Sequence, residues 1–163
     1  MDDADQILKD LDSLPKISVA AGETIFEQGT HSDFLVFLVE GSVEVVSDGM
    51  IVAHESRPGS VYGELSILLD NPHMAEVRAA KDSVLIKVAN PLAYFAEHPR
   101  VTLLVCRTIA ERLTAATRYM ADVRRQFSKD EGHVAMLDKI LMTLIHRNPK
   151  SVTEERTAIR PDH

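Results

Sequence analysis

The sequence predicts a mainly β domain, a sandwich or barrel of short antiparallel strands, followed by helices. Between residues 22 and 88, short apolar segments are separated by turn signals every ~8–12 residues, which is typical of such folds. After Asn90-Pro91 the apolar period changes from two to 3.6, which indicates helices. The 163 residues, 45% hydrophobic and 26% charged, suit one folded domain with an added helical segment.

Composition narrows the class of protein. The net charge of −7 and the isoelectric point near 5.4 argue against a nucleic-acid partner, which would require a basic surface. The single cysteine, Cys106, cannot form an internal disulfide, which fits a reducing compartment. No signal-peptide pattern follows Met1, and apolar runs such as 34–39 are too short to span a bilayer. We therefore expect a cytoplasmic protein without a membrane partner.

The first element predicted is a short amphipathic helix within residues 1–15, closed by Pro15. Its apolar residues recur at helical spacing: Ile7, Leu8, Leu11 and Leu14.

A β region is predicted next, from apolar runs and from alternation. The predicted strands are 24–26, 34–39, 43–45, 51–54, 61–62, one that starts near 76–77, and 84–88. Glu40-Gly41 is expected to break the continuous apolar run before it. Asp48-Gly49 is the strongest hairpin signal in the chain.

Helices are predicted to complete the chain. We expect a short helix at 92–97, ended by Pro99, and a long helix at 100–126. The long helix carries a heptad pattern of apolar residues: Cys106, Ile109, Leu113, Ala116, Met120, Val123 and Phe127. This heptad seam either pairs two chains or packs on a last helix of the same chain, and in both cases Cys106 is expected to be buried. A capping-box pattern opens that last helix, 128–147, and the polar tail 148–163 is expected to be disordered.

The stretch 59–79 is the strongest candidate for a binding site. A strand end at Val61-Tyr62 is followed by Gly63-Glu64 and one apolar helical turn. The first turn of a helix has free N–H donors and the positive end of the helix dipole, so it suits an anion. Gly63 would let a ligand approach the backbone closely, and Glu64 could accept a hydrogen bond from a sugar hydroxyl.

The sequence from about residue 17 to 126 resembles a known family, and three segments in this order carry the resemblance: GETIFEQG, FLVFLVEGSVEV and PGSVYGELSILL. It resembles the cyclic nucleotide-binding domain of catabolite-activator-type regulators, cyclic-nucleotide-dependent kinases and gated channels. The resemblance implies an antiparallel, jelly-roll-like β-roll that, together with the long helix, spans residues 16–127. It also implies that this β-roll holds a phosphate-binding cassette, here residues 63–75. It also implies cyclic AMP or cyclic GMP as the ligand and a homodimer formed through the long helix.

The resemblance also implies roles for individual residues. Gly63, Leu65 and Ser66 match positions that hold the cyclic phosphate, and Glu64 matches the residue that binds the ribose 2′-hydroxyl. The family pattern continues with Pro-Arg, a small or hydroxyl residue, and Ala. Here His73 replaces the arginine and Met74 replaces the small residue. The last position of the pattern is met by Ala75.

The loss of the arginine is the main departure from the family pattern. Arginine is a permanent cation that matches two phosphate oxygens, whereas histidine is mostly neutral at pH 7 and shorter. We therefore expect a small-molecule-sensing regulatory module with weak or altered nucleotide binding. The alternative is a structural or dimerisation module that has kept the fold and lost the ligand.

An enzyme and a DNA-binding regulator are both disfavoured by the residue patterns. No nucleophile and base are arranged for catalysis, and the histidines lack metal-ligand spacing. The segment after residue 126 is too short for a helix-turn-helix domain.

Overall fold

A computed structural model describes residues 3–126 together with residues 136, 139 and 140. Its helices are α1 (Asp3–Asp10), α2 (Glu64–Leu69), α3 (Pro91–Glu97) and α4 (Pro99–Gln126). Its strands are β1 (Lys16–Val19), β2 (Thr24–Phe26), β3 (Phe34–Ser47), β4 (Met50–Glu55), β5 (Val61–Tyr62) and β6 (Glu76–Ala89). The chain divides into two compact units, residues 1–108 and 109–163. The mainly β fold with flanking helices is confirmed.

Two long antiparallel strands form the centre of the six-stranded sheet. Strands β3 and β6 pair along their whole length, and the sheet order is β1-β6-β3-β4. Strand β2 also pairs with β6, and β5 also pairs with β3. The hairpin predicted at Asp48-Gly49 joins β3 to β4, with φ of +51° and +80° at the two turn residues. The sheet is consistent with the β-roll that the resemblance implies.

The continuity of β3 and β6 corrects the sequence analysis. Glu40-Gly41 was expected to end a strand, but β3 runs through it with shifts in register between Leu38 and Val43. Likewise, the two segments predicted at 76–77 and 84–88 are parts of one strand. Gly41 has a φ of +107° and lies against Ser83 of β6, so the glycine makes an irregularity in the strand instead of ending it.

Both faces of the central strands are buried. We call the face that carries the main apolar cluster the inner face. Its buried residues are Phe26, Val36, Leu38, Val43, Tyr62, Val77 and Leu85. Residues of opposite parity on β3 and β6, such as Leu35 and Ile86, are also buried. Burial on both faces explains why residues 34–39 form an unbroken apolar run.

Helix α4 begins with a buried stripe and continues with an exposed one. Val101, Val105 and Thr108 are buried at the spacing of one helical face. Cys106 is exposed in the single chain, because it lies one residue, about 100° of helical rotation, from that face. Its expected burial is therefore not met within the described part of the chain.

Three further predictions fall wholly or partly outside the described residues. These are Phe127 of the heptad seam and, except for residues 136, 139 and 140, the expected last helix and tail. No helix in the described part of the chain is long and apolar enough to cross a membrane.

Candidate functional site

The cassette begins at a backbone position that requires glycine. Gly63 has a φ of +89°, directly after the buried strand β5 and before the first residue of α2. A Cβ atom at Gly63 would lie 2.9 Å from Cζ of Phe26 and 3.4 Å from the carbonyl oxygen of Phe34. Both the backbone angle and the lack of space therefore exclude other residues. Gly63 therefore lies directly against these two phenylalanines at the point where α2 begins.

Two polar side chains of α2 are buried. Glu64 is only 2% exposed and occupies the first turn of the helix, where the helix dipole favours a negative charge. The Ser66 hydroxyl donates a hydrogen bond to the backbone carbonyl of Asn71 at 2.6 Å, which closes the cassette loop on itself. Leu65 is exposed, so at this position the backbone N–H, and not the side chain, would serve a ligand.

His73 is buried with its ring in a fixed position. The side chain is 6% exposed, and its Nε2 atom lies 3.0 Å from the hydroxyl of Ser32. Its ring stacks on Phe26 with 4.4 Å between ring centres. Burial, followed by the positive charge of the nearby His31, lowers the pKa of His73. The residue at the arginine position of the family pattern is therefore a neutral, packed imidazole at pH 7.

The structure brings together only some of the predicted site residues. Gly63 and His73 both lie against the Phe26 ring: Gly63 lies near its Cζ and Cε2 atoms, and the His73 ring stacks on it. Met74 is 73% exposed and Ala75 is half-buried, so the Met74 side chain does not line an enclosed site. Phe26 and Ser32 were missed by the sequence analysis. Phe26 was recognised only as an apolar strand residue, and nothing in the pattern linked it to the cassette.

Arg78 does not replace the missing arginine. Its Nε atom donates to Oε2 of Glu44 at 3.0 Å, across the pairing of β6 with β3. The neighbouring pair Val45–Val77 carries residues of the inner cluster, so Arg78 and Glu44 project from the opposite face of the sheet.

A cavity of about 340 Å³ adjoins the cassette. Its walls include Ser32 before β3, Ser66 on α2, and Asn90 and Pro91 at the start of α3. The cassette and the beginning of the C-terminal helices thus share one cavity. Within the described residues, no group of three His, Cys, Asp or Glu side chains could hold a metal ion.

Residues 16–96 match the family model of the cyclic nucleotide-binding domain. This domain belongs to that family. The match covers every strand of the sheet, the cassette helix α2 and most of α3. The cassette described above lies within the matched residues.

Known proteins extend the comparison. The "Lysophospholipase NTE1" of Chaetomium globosum is 30% identical over 109 residues, which are 63% of this chain and 7% of the fungal protein. A structure described as "Regulatory subunit of a cAMP-independent protein kinase A from Trypanosoma brucei" has 26% identity and a TM-score of 0.52, covering 60% of this chain and 35% of that one.

A third similar structure supports the fold alone. It comes from a study titled "A cyclic-GMP-dependent signalling pathway regulates bacterial phytopathogenesis" and has 24% identity and a TM-score of 0.56. It covers 70% of this chain and 94% of that one. The chain spans less than a tenth of the length of the fungal relative, so the enzymatic activity in that name is not carried over to it.

Proposed function

We propose that this chain is a regulatory module that senses a cyclic nucleotide, cyclic AMP or cyclic GMP, with an affinity weakened by His73. The observation that carries the proposal is a cassette whose backbone turn is formed and which has a neutral histidine where the family pattern has arginine. Gly63 adopts the required positive φ and Glu64 is buried beside it, while His73 is packed against Phe26 in a neutral state.

The predicted residues at the start of α2 have specific roles in this proposal. The N–H groups of Leu65 and Ser66 hold the cyclic phosphate, and Glu64 accepts a hydrogen bond from the ribose 2′-hydroxyl. A charge-assisted hydrogen bond is worth about 1.5–3 kcal/mol, so loss of the arginine weakens binding roughly tenfold to a hundredfold per bond. One structurally similar kinase subunit is described as cAMP-independent, which fits a cassette with altered ligand affinity.

Ligand binding would act on the helices through the cavity beside the cassette. Ser66 and Asn90 both line that cavity, so a ligand that moves α2 changes the surroundings of the first residues of α3. A ligand shifts this equilibrium only if it binds one helix arrangement more tightly than the other.

Calorimetric titration of the chain with cyclic AMP and cyclic GMP tests the proposal. We expect saturable heat with a dissociation constant in the high-micromolar to millimolar range, and a rise in melting temperature with ligand concentration. A Glu64→Gln variant should bind the ribose nucleotides more weakly while leaving the affinity for the 2′-deoxy analogue of cyclic AMP unchanged. If millimolar ligand produces no heat and no thermal shift, the proposal is contradicted. That result would support the ligand-free structural module instead.

We also infer a homodimer formed through α4. Leu113 is 47% exposed in the single chain, and the heptad seam continues through Ile109, Ala116, Met120 and Val123. Leu113→Glu would place a charge within that seam and should convert a dimer into a monomer. Light scattering coupled to size exclusion measures this, with Thr114→Glu, one residue away and exposed, as the matched control. A wild-type monomer at high concentration would overturn the dimer.

A further inference from the structure

Lys87 lies on the inner face of the sheet, in the same row of residues as the start of the cassette. It pairs with Val36 across β6 and β3, and Val36 pairs in turn with Tyr62 on β5. Residues directly opposite each other in antiparallel strands project to the same face. Val36 and Tyr62 both belong to the inner cluster, so the Lys87 side chain starts from that face as well. Tyr62 directly precedes Gly63.

The ammonium group of Lys87 is directed towards the aromatic residues beside the cassette. Its Nζ atom lies 4.0 Å from the centre of the Phe34 ring. The Phe34 ring in turn lies 5.1 Å from that of Phe26, and the carbonyl oxygen of Phe34 is beside Gly63. Two strand spacings, roughly 10 Å, separate the backbones of Lys87 and Tyr62, a gap that an extended lysine and a bound phosphate together can bridge.

Lys87 has its positive charge available. The side chain is half-buried, and no ion pair joins it to a carboxylate in the part of the chain that the structure describes. Arg78, three residues after the cassette in sequence, is held by Glu44 on the opposite face. His73 is neutral and stacked on Phe26. Lys87 is thus a cation that faces the cassette from across the sheet. Its ammonium group contacts the Phe34 ring instead of a carboxylate.

We infer that Lys87 binds the anionic phosphate of the ligand, in the role left open by His73. This rests on the proposed function and names the residue that supplies the charge. In the absence of ligand the ammonium group is stabilised by the Phe34 ring, a cation–π contact that a phosphate oxygen can replace. A lysine acts on phosphate as a point charge without the two-pronged match of arginine, which agrees with a weaker site.

Lys87→Met tests the inference because methionine keeps the apolar stem and removes the charge. We expect the variant to bind cyclic AMP roughly 10- to 100-fold more weakly than the wild type, the effect of one charge-assisted hydrogen bond. Binding of adenosine, which lacks the phosphate, should be unchanged. Lys81→Met is the matched control, since Lys81 is an exposed lysine on the same strand. Thermal melts establish that both variants fold.

The outcomes are separated by titrations with cyclic AMP, cyclic GMP and inorganic phosphate. Calorimetry and the amide NMR signals of residues 63–66 measure the binding. Weakened phosphate and nucleotide binding in Lys87→Met, with Lys81→Met unchanged, supports the inference. If the wild type binds and the affinity of Lys87→Met stays within twofold of the wild-type affinity, the role of Lys87 is overturned. The proposed function then still stands. A wild-type chain that binds none of the three anions overturns both.

Discussion

Gly41→Ala should destabilise the domain by about 3–5 kcal/mol, a large share of the stability of a small domain. A Cβ atom at Gly41 would lie against the Ser83 hydroxyl and 2.6 Å from the Cα atom of Ser83. The backbone of β6 cannot move away without breaking its pairing with β3. The φ of +107° at Gly41 adds backbone strain of about 1–3 kcal/mol for any L-residue.

Gly49→Ala is the matched control for this prediction. Gly49 has a φ of +80°, yet nothing lies within 4 Å of the position its Cβ atom would take. Alanine at Gly49 should therefore cost only the backbone strain, about 1–2 kcal/mol. Urea unfolding of the two variants, monitored by circular dichroism, measures both changes. Equal losses of stability would show that the contact with Ser83 relaxes and would contradict the prediction.

Gly41 also shows the limit of what the sequence predicts about the fold. The Asp48-Gly49 hairpin and helix α2 were predicted because their signals are local: a two-residue turn and a glycine before one apolar turn. The continuity of β3 through Glu40-Gly41 depends on Ser83, which is 42 positions from Gly41 in the chain. A glycine with a positive φ has the same sequence pattern whether it lies within one strand or in a turn between two strands. Only the pairing with β6 decides between these two structures.

The candidate site shows the same division. Gly63, Glu64 and the replacement of arginine by His73 could be found from the pattern of residues along the chain. The packing that keeps His73 neutral could not, because Ser32 and Phe26 come from other strands and loops. Residue Lys87 likewise looks like an ordinary strand residue until the register places it in line with Val36 and Tyr62.

His73→Arg should raise the affinity for cyclic AMP by roughly tenfold to a few hundredfold, because arginine adds a permanent charge and a second hydrogen bond to phosphate. A guanidinium group can keep the stacking on Phe26 that the imidazole ring now makes. Calorimetry measures the change. His54→Arg, at an exposed position on β4, adds the same charge away from the cassette and should leave the affinity unchanged.

Because His73 is buried, its variants require a check on folding and a second substitution. Thermal melts identify any loss of structure, and His73→Lys supplies a point charge that should raise the affinity by less than arginine does. A folded His73→Arg chain with wild-type affinity would show that the cassette no longer receives a phosphate at this position. If Lys87 holds the phosphate, adding His73→Arg to Lys87→Met should recover part of the lost binding. The two substitutions would then not be additive, because the two residues contact one ligand group.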